Sequence, residues 1–123
     1  MKKLFISVPM KGRTEENIRK SMEKMHRIAE AVWEQELEVI PSYFAGDPPQ
    51  DVKQVIWYLG KSIQLMAEAD YFIGTPNAGT YMGCAVEREV AYRYNIESYI
   101  LPLDIAAPDA LETVQNEISL GVL

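Results

Sequence analysis

Residues 71–94 read YFIGTPNAGTYMGCAVEREVAYRY. The apolar run Tyr71-Phe72-Ile73 suits a buried strand, and it stops at a segment rich in turn formers, Pro76, Asn77 and Gly79. Gly83 then opens a segment of helical character that carries Glu87, Arg88 and Glu89. Strand, loose turn and helix N-terminus in this order form a common ligand site of α/β proteins. Open backbone N–H groups and the positive end of the helix dipole converge there.

Upstream, Leu4-Phe5-Ile6-Ser7-Val8 reads as a buried first strand ended by Pro9, and Pro9-Met10-Lys11-Gly12-Arg13 as a turn. Thr14 is a good N-cap, with Glu15 and Glu16 suited to the positive first turn behind it. Ile18, Met22, Met25, Ala29, Val32 and Trp33 recur at helical spacing, which predicts one amphipathic helix to about residue 35. Met22 and Met25 read as core filling, and His26, among Glu23 and Glu30, as a surface residue. Leu37–Ile40 reads as a second strand, followed from Ser42 to Gln50 by a loop bearing Tyr43 and Phe44, either a lid for a flat ligand or peripheral core. Asp51 is placed to cap a helix whose inner stripe is Val52, Val55, Ile56, Leu59, Ile63, Met66 and Ala67, with Gly60 as a kink or break. After residue 83 the apolar steps are Val86, Val90 and Tyr94; Glu97–Leu101 is a fourth strand, and a last helix starts at Asp109.

This alternation predicts a single domain over residues 1–123, an α/β Rossmann-like (flavodoxin-like) three-layer sandwich with a mostly parallel sheet. The loops at 9–13 and 75–83 then both lie at the carboxyl end of the sheet, after strands that are neighbours in a flavodoxin-like order.

Composition narrows the partners. With 48% hydrophobic and 24% charged residues the chain is ordinary for a soluble domain. A net charge of −6 argues against duplex nucleic acid or an anionic membrane surface. Cys84 is the single cysteine, which excludes an internal disulfide and fits a reducing, cytoplasmic setting. The apolar run after Met1-Lys2-Lys3 is too short for a signal peptide or a span.

Two carboxylates in the opening stretch are separated by periodicity. Glu89 has Arg93 four residues on, the spacing of an exposed helix ion pair. Glu87 has Gly83 four before and Ala91 four after, which leaves room before its carboxylate and no cation in register. It is a candidate nucleophile or ligand acceptor. The residues Pro9, Met10, Lys11, Gly12 and Arg13 offer open N–H groups and two cations; they read either as a cradle for a phosphate or sugar hydroxyls or as a solvated turn. This loop is neither a Walker A motif nor GxGxxG. With no nucleophile–His–acid set and no metal-ligand cluster in the sequence, chemistry here would run on carboxylates, and no metal and no cofactor are expected.

Three segments taken in order, ISVPMKGR (6–13), AEADYFIG (67–74) and GCAVEREVAYRYNI (83–96), resemble the nucleoside 2-deoxyribosyltransferase superfamily, most closely its short bacterial and phage members. The resemblance implies a Rossmann-like fold and homo-oligomers, dimers or higher, with sites near subunit interfaces. It implies cleavage or transfer at the N-glycosidic bond of a (deoxy)nucleoside or nucleotide. It puts the nucleophilic glutamate at Glu87. Ser7 to Arg13 would hold the sugar and any 5′-phosphate, with Lys11 and Arg13 favouring a nucleotide. Asn77, Tyr81 and Gly83 would complete the substrate-binding set. The chain departs from the pattern at Ser62, where characterised members carry aspartate, and at Tyr81, where they carry Asp or Ser. Thr75-Pro76-Asn77 also stands in place of an expected Trp. Tyr81, Tyr43 and Asp47 are the alternatives for protonating the leaving base, and a nucleotide-binding module that has lost catalysis is the second functional reading.

Overall fold

The computed structural model describes residues 1–41, 46–76 and 81–102. Tyr43 and Phe44, Asn77 and the helix expected from Asp109 lie outside the described residues. Seven elements follow in order: β1 (Lys2–Ile6), α1 (Glu15–Trp33), β2 (Leu37–Val39), α2 (Gln54–Met66), β3 (Tyr71–Gly74), α3 (Met82–Arg93) and β4 (Glu97–Ile100). The four strands form one all-parallel sheet in the order β2-β1-β3-β4. This is the α/β Rossmann-like, flavodoxin-like arrangement, and it makes β1 and β3 neighbours.

Alternation along the strands sorts the core into two faces. On one, Leu4, Ile6 and Val8 of the first strand segment join Leu37 and Ile73 beneath Ile18, Met25, Ile28 and Ala29 of α1. On the other, Phe5, Ile40 and Phe72 meet Met66 of α2 and Ala91 of α3. Phe5 and Phe72 stack with centroids 5.9 Å apart and planes 4° apart, so the β1–β3 pairing is reinforced on its α2–α3 side. Thr14 caps α1 as its residue type predicts: its hydroxyl accepts from Asn17 N at 3.1 Å.

Several local expectations are corrected. β1 runs Lys2–Ile6 rather than Leu4–Val8, although Ser7 N still donates to Ile73 O at 2.9 Å and carries the ladder one step on. α2 starts at Gln54 with Lys53 as N-cap, not at Asp51, and it runs unbroken through Gly60. Its expected inner stripe is largely outside: Val52, Val55 and Ile56 are exposed, Val55 to 79%, and Met66 is the buried residue of the helix. On α3 the buried residues are Cys84, Glu87 and Ala91, whereas Val86 and Tyr94 are exposed. His26 is half-buried rather than a free surface group, its Nε2 lying 2.9 Å from Leu37 O and 3.2 Å from Glu30 Oε2.

Candidate active site

Each residue of the site stands one step above a core residue. Ser7 follows Phe5 by two along the same strand face, Ser62 precedes Met66 by one turn of α2, and Glu87 precedes Ala91 by one turn of α3. The site is therefore the polar end of the α2–α3 core, at the carboxyl end of the sheet where α/β ligand sites form. Gly74 lies on that face beside Ser7, one residue beyond the paired Ile6 and Ile73. A Cβ there would come within 2.9 Å of Phe72 Cε1 and 3.2 Å of Ile100 Cδ1, so glycine lets the Phe72 ring sit under the strand end.

Glu87 is 8% exposed and its carboxylate is not free of partners. Ser7, itself 1% exposed, donates its Oγ–H to Glu87 Oε1 at 2.7 Å. Burial pushes the Glu87 carboxyl up to about 7, against the opposing pull of the Ser7 hydrogen bond. Cys84, one turn earlier on α3, contacts the same cluster. Burial raises its thiol to about 11, with the Ser7 hydrogen bond opposing and the Glu87 charge adding to the rise. The thiol therefore keeps its proton at neutral pH, and its role is that of a packed, weak donor rather than a nucleophile. Glu89, by contrast, pairs with Arg93 on the exposed side of the helix, as the spacing predicts.

The remaining expected site residues divide. Gly83 stands one turn before Glu87, and a Cβ there would meet nothing within 4 Å, so the helix leaves open space beside the carboxylate. Tyr81 is the N-cap of α3, half-buried and without a side-chain cap bond. The 9–13 loop is more inward than a phosphate cradle requires. Pro9 is buried, Met10 packs against the α1 core, and Arg13 N closes a turn onto Met10 O at 3.1 Å across Gly12, whose φ is 73°. The Arg13 guanidinium donates to Pro9 O at 2.9 Å, to Asn17 O at 3.2 Å and to Ser21 Oγ. It staples the loop to α1, and Lys11 is the exposed cation of the loop.

A cleft of about 460 Å³ lies along the flank of α3 against β4, lined by Arg88, Ala91, Tyr92, Asn95 and Ile96 among others. None of these lining residues carries a carboxylate, and Glu87 is not among them. Among the described residues no helix is long and apolar enough to cross a membrane. Comparison with protein-family models, with curated proteins and with solved structures finds no match.

Proposed function

We propose that this protein cleaves or transfers at the N-glycosidic bond of a (deoxy)nucleoside or nucleotide, with Glu87 as nucleophile. The observation that carries the reading is a buried glutamate at the carboxyl end of a parallel sheet, bonded to the Ser7 hydroxyl at 2.7 Å; burial pushes its carboxyl up to about 7. Such a carboxylate is substantially ionised at neutral pH yet poorly solvated, which is the condition an oxygen nucleophile needs. An oxygen of Glu87 attacks C1′ of the sugar, the C1′–N bond breaks with its electron pair going to the base, and the base takes up a proton. Water or a second base then displaces the glutamyl ester, with net retention at C1′. Tyr81, the N-cap of α3, and Asp47 are the candidates among the described residues for supplying the proton. The internal bonds of Arg13 remove one of the two cations expected for a phosphate, which favours recognition through the sugar, with Lys11 left for a 5′-phosphate.

The small-molecule substrate is met by a homo-oligomer, dimer or higher, in this reading. The exposed Val52, before α2, and Val55 and Ile56, on its first turn, supply apolar surface a second copy would cover. The protein belongs in the cytoplasm, where nucleosides and nucleotides circulate.

The test is incubation with a panel of nucleosides and nucleotides and detection of free base by mass spectrometry. Base release by the wild type, lost in Glu87→Ala, and a sugar adduct on the Glu87 peptide are expected. Because attack needs the ionised form, kcat/KM rises with pH through about 7. Turnover unchanged in Glu87→Ala overturns the mechanism. A substrate-induced rise in melting temperature with no base released replaces it by the second reading, a binding module without catalysis.

A further inference from the structure

A serine hydroxyl has a single proton to give, and the surroundings of Ser7 decide where it goes. Ser7 follows the end of β1 on a fixed backbone: its N–H donates to Ile73 O at 2.9 Å, and Val8 and Pro9 beyond it are buried. Its side chain lies on the α2–α3 face of the sheet, two residues on from Phe5, and donates to Glu87 Oε1 at 2.7 Å. With 1% of the residue exposed, Ser7 has no surface left for a substrate. We propose that Ser7 is a positioning residue for Glu87 and not a contact to the sugar: it holds Oε1 and leaves Oε2 as the oxygen that attacks C1′. The proposal rests on the reading of Glu87 as the reacting group.

A glutamate side chain has three rotatable bonds, whereas the oxygen of serine swings about one, so the contact ties the more mobile group to the less mobile. Gly83, one turn before Glu87, leaves open space beside the carboxylate, so the approach stays clear while the anchor is fixed. The neutrality of the anchor suits the reaction. As Oε2 bonds to C1′, Oε1 becomes the carbonyl oxygen of the glycosyl ester. The C1′–N electron pair leaves with the base, which takes up a proton. A hydroxyl donates to a carboxylate and to an ester carbonyl alike, so the contact lasts through both steps. A Lys or Arg in its place would favour the carboxylate over the ester and oppose formation of the new bond. Such an anchor keeps the reacting atoms in line at about 3 Å.

The experiment compares wild type, Ser7→Ala, Ser7→Thr and Ser7→Cys, the last with a weaker donor of similar size. The Glu87 titration is followed in the free protein by NMR of its carboxyl carbon, and base release is measured across pH. The Cys84 thiol, one turn earlier on α3, is pushed up to about 11 by burial, so it keeps its proton while Glu87 titrates. Loss of a donor to the ion raises the midpoint. Ser7→Ala therefore titrates above wild type and Ser7→Cys between the two, while Ser7→Thr, which keeps the hydroxyl, returns toward wild type. In turnover, Ser7→Ala lowers kcat by about ten- to a hundredfold with little change in KM, and Ser7→Thr restores it. An unmoved midpoint in Ser7→Ala, or an unchanged kcat, overturns the proposal. A raised KM at unchanged kcat makes Ser7 a sugar contact and overturns it as well. A moved and rescued midpoint without base release by the wild type keeps Ser7 as the anchor of Glu87 and overturns the glycosidic reading instead.

Discussion

A carboxylate that is 8% exposed and, among the described residues, bonded to the Ser7 hydroxyl and to no cation is a cost to the folded state, and that cost has a pH signature. Below about 4.5 Glu87 is protonated in both folded and unfolded chains. Between there and about 7 the unfolded chain ionises first while the native carboxyl holds its proton, so folding loses stability as pH rises and the loss levels off above about 7. The difference is worth about 3 kcal/mol. Glu87→Gln removes the charge and keeps the shape, so it is expected to be more stable than wild type by about that amount at pH 8 and indistinguishable at pH 4, measured by urea unfolding at both pH values. An equal difference at the two pH values would show that the carboxylate is not desolvated. The stripe argument on a single helix separated Glu87 from Glu89 correctly, because both partners of the Glu89–Arg93 pair lie four residues apart. It could not find Ser7, which is 80 residues away in sequence. The buried face of α3, polar at its centre, is likewise hidden from the period: Cys84, Glu87 and Ala91 are buried, while Val86 and Tyr94, on the apolar steps, are exposed.

At the scale of elements, loops that look available in sequence turn out to be spoken for. Lys11 and Arg13 read as a matched pair of cations, yet the planar fork of Arg13 fits three acceptors on the loop and on α1, so the guanidinium is structural. Arg13→Ala is expected to cost about 1–2 kcal/mol, and Arg13→Lys nearly as much, since an ammonium cannot reach all three acceptors in one plane. Thermal unfolding checks this, and a lysine variant as stable as wild type would show that charge rather than geometry matters. Strand ends behave in the same way. Gly74 read as the mere end of a strand, but the Phe72 ring and Ile100 occupy the space its side chain would take. Gly74→Ala is expected to destabilise by about 1–3 kcal/mol through overpacking and to shift the Phe72 ring resonances. Period and cap together place α1, as Thr14 illustrates; on α2 they do not, since the cap is Lys53 rather than Asp51 and Val55 and Ile56 are exposed.

At the scale of the molecule, the two faces of the sheet do different work. The α1 face is an apolar core built on Leu4, Ile6, Ile18, Met25 and Ile28, and it anchors the 9–13 loop through Met10. The α2–α3 face has a smaller core, Phe5, Ile40, Met66, Phe72 and Ala91, and it carries Ser62 and Glu87 one turn above its helical members. The order β2-β1-β3-β4 puts Ser7 in the middle of the sheet, where its hydroxyl meets Glu87 of α3. Phe72 sits at the centre of that docking, fully buried and stacked on Phe5. Phe72→Ala is expected to cost about 3–5 kcal/mol, and the loss should fall unevenly. Amides of α2 and α3 are expected to lose more hydrogen-exchange protection than those of α1, because their face loses its largest contact while the α1 core keeps all of its members. The Glu87 titration should then return toward the ordinary carboxylate range in step with the loss on α2 and α3, since a helix that opens part of the time hydrates its carboxylate part of the time. Equal loss of protection in all three helices would mean that the sheet and both faces open only as one unit, and that the site has no local stability of its own.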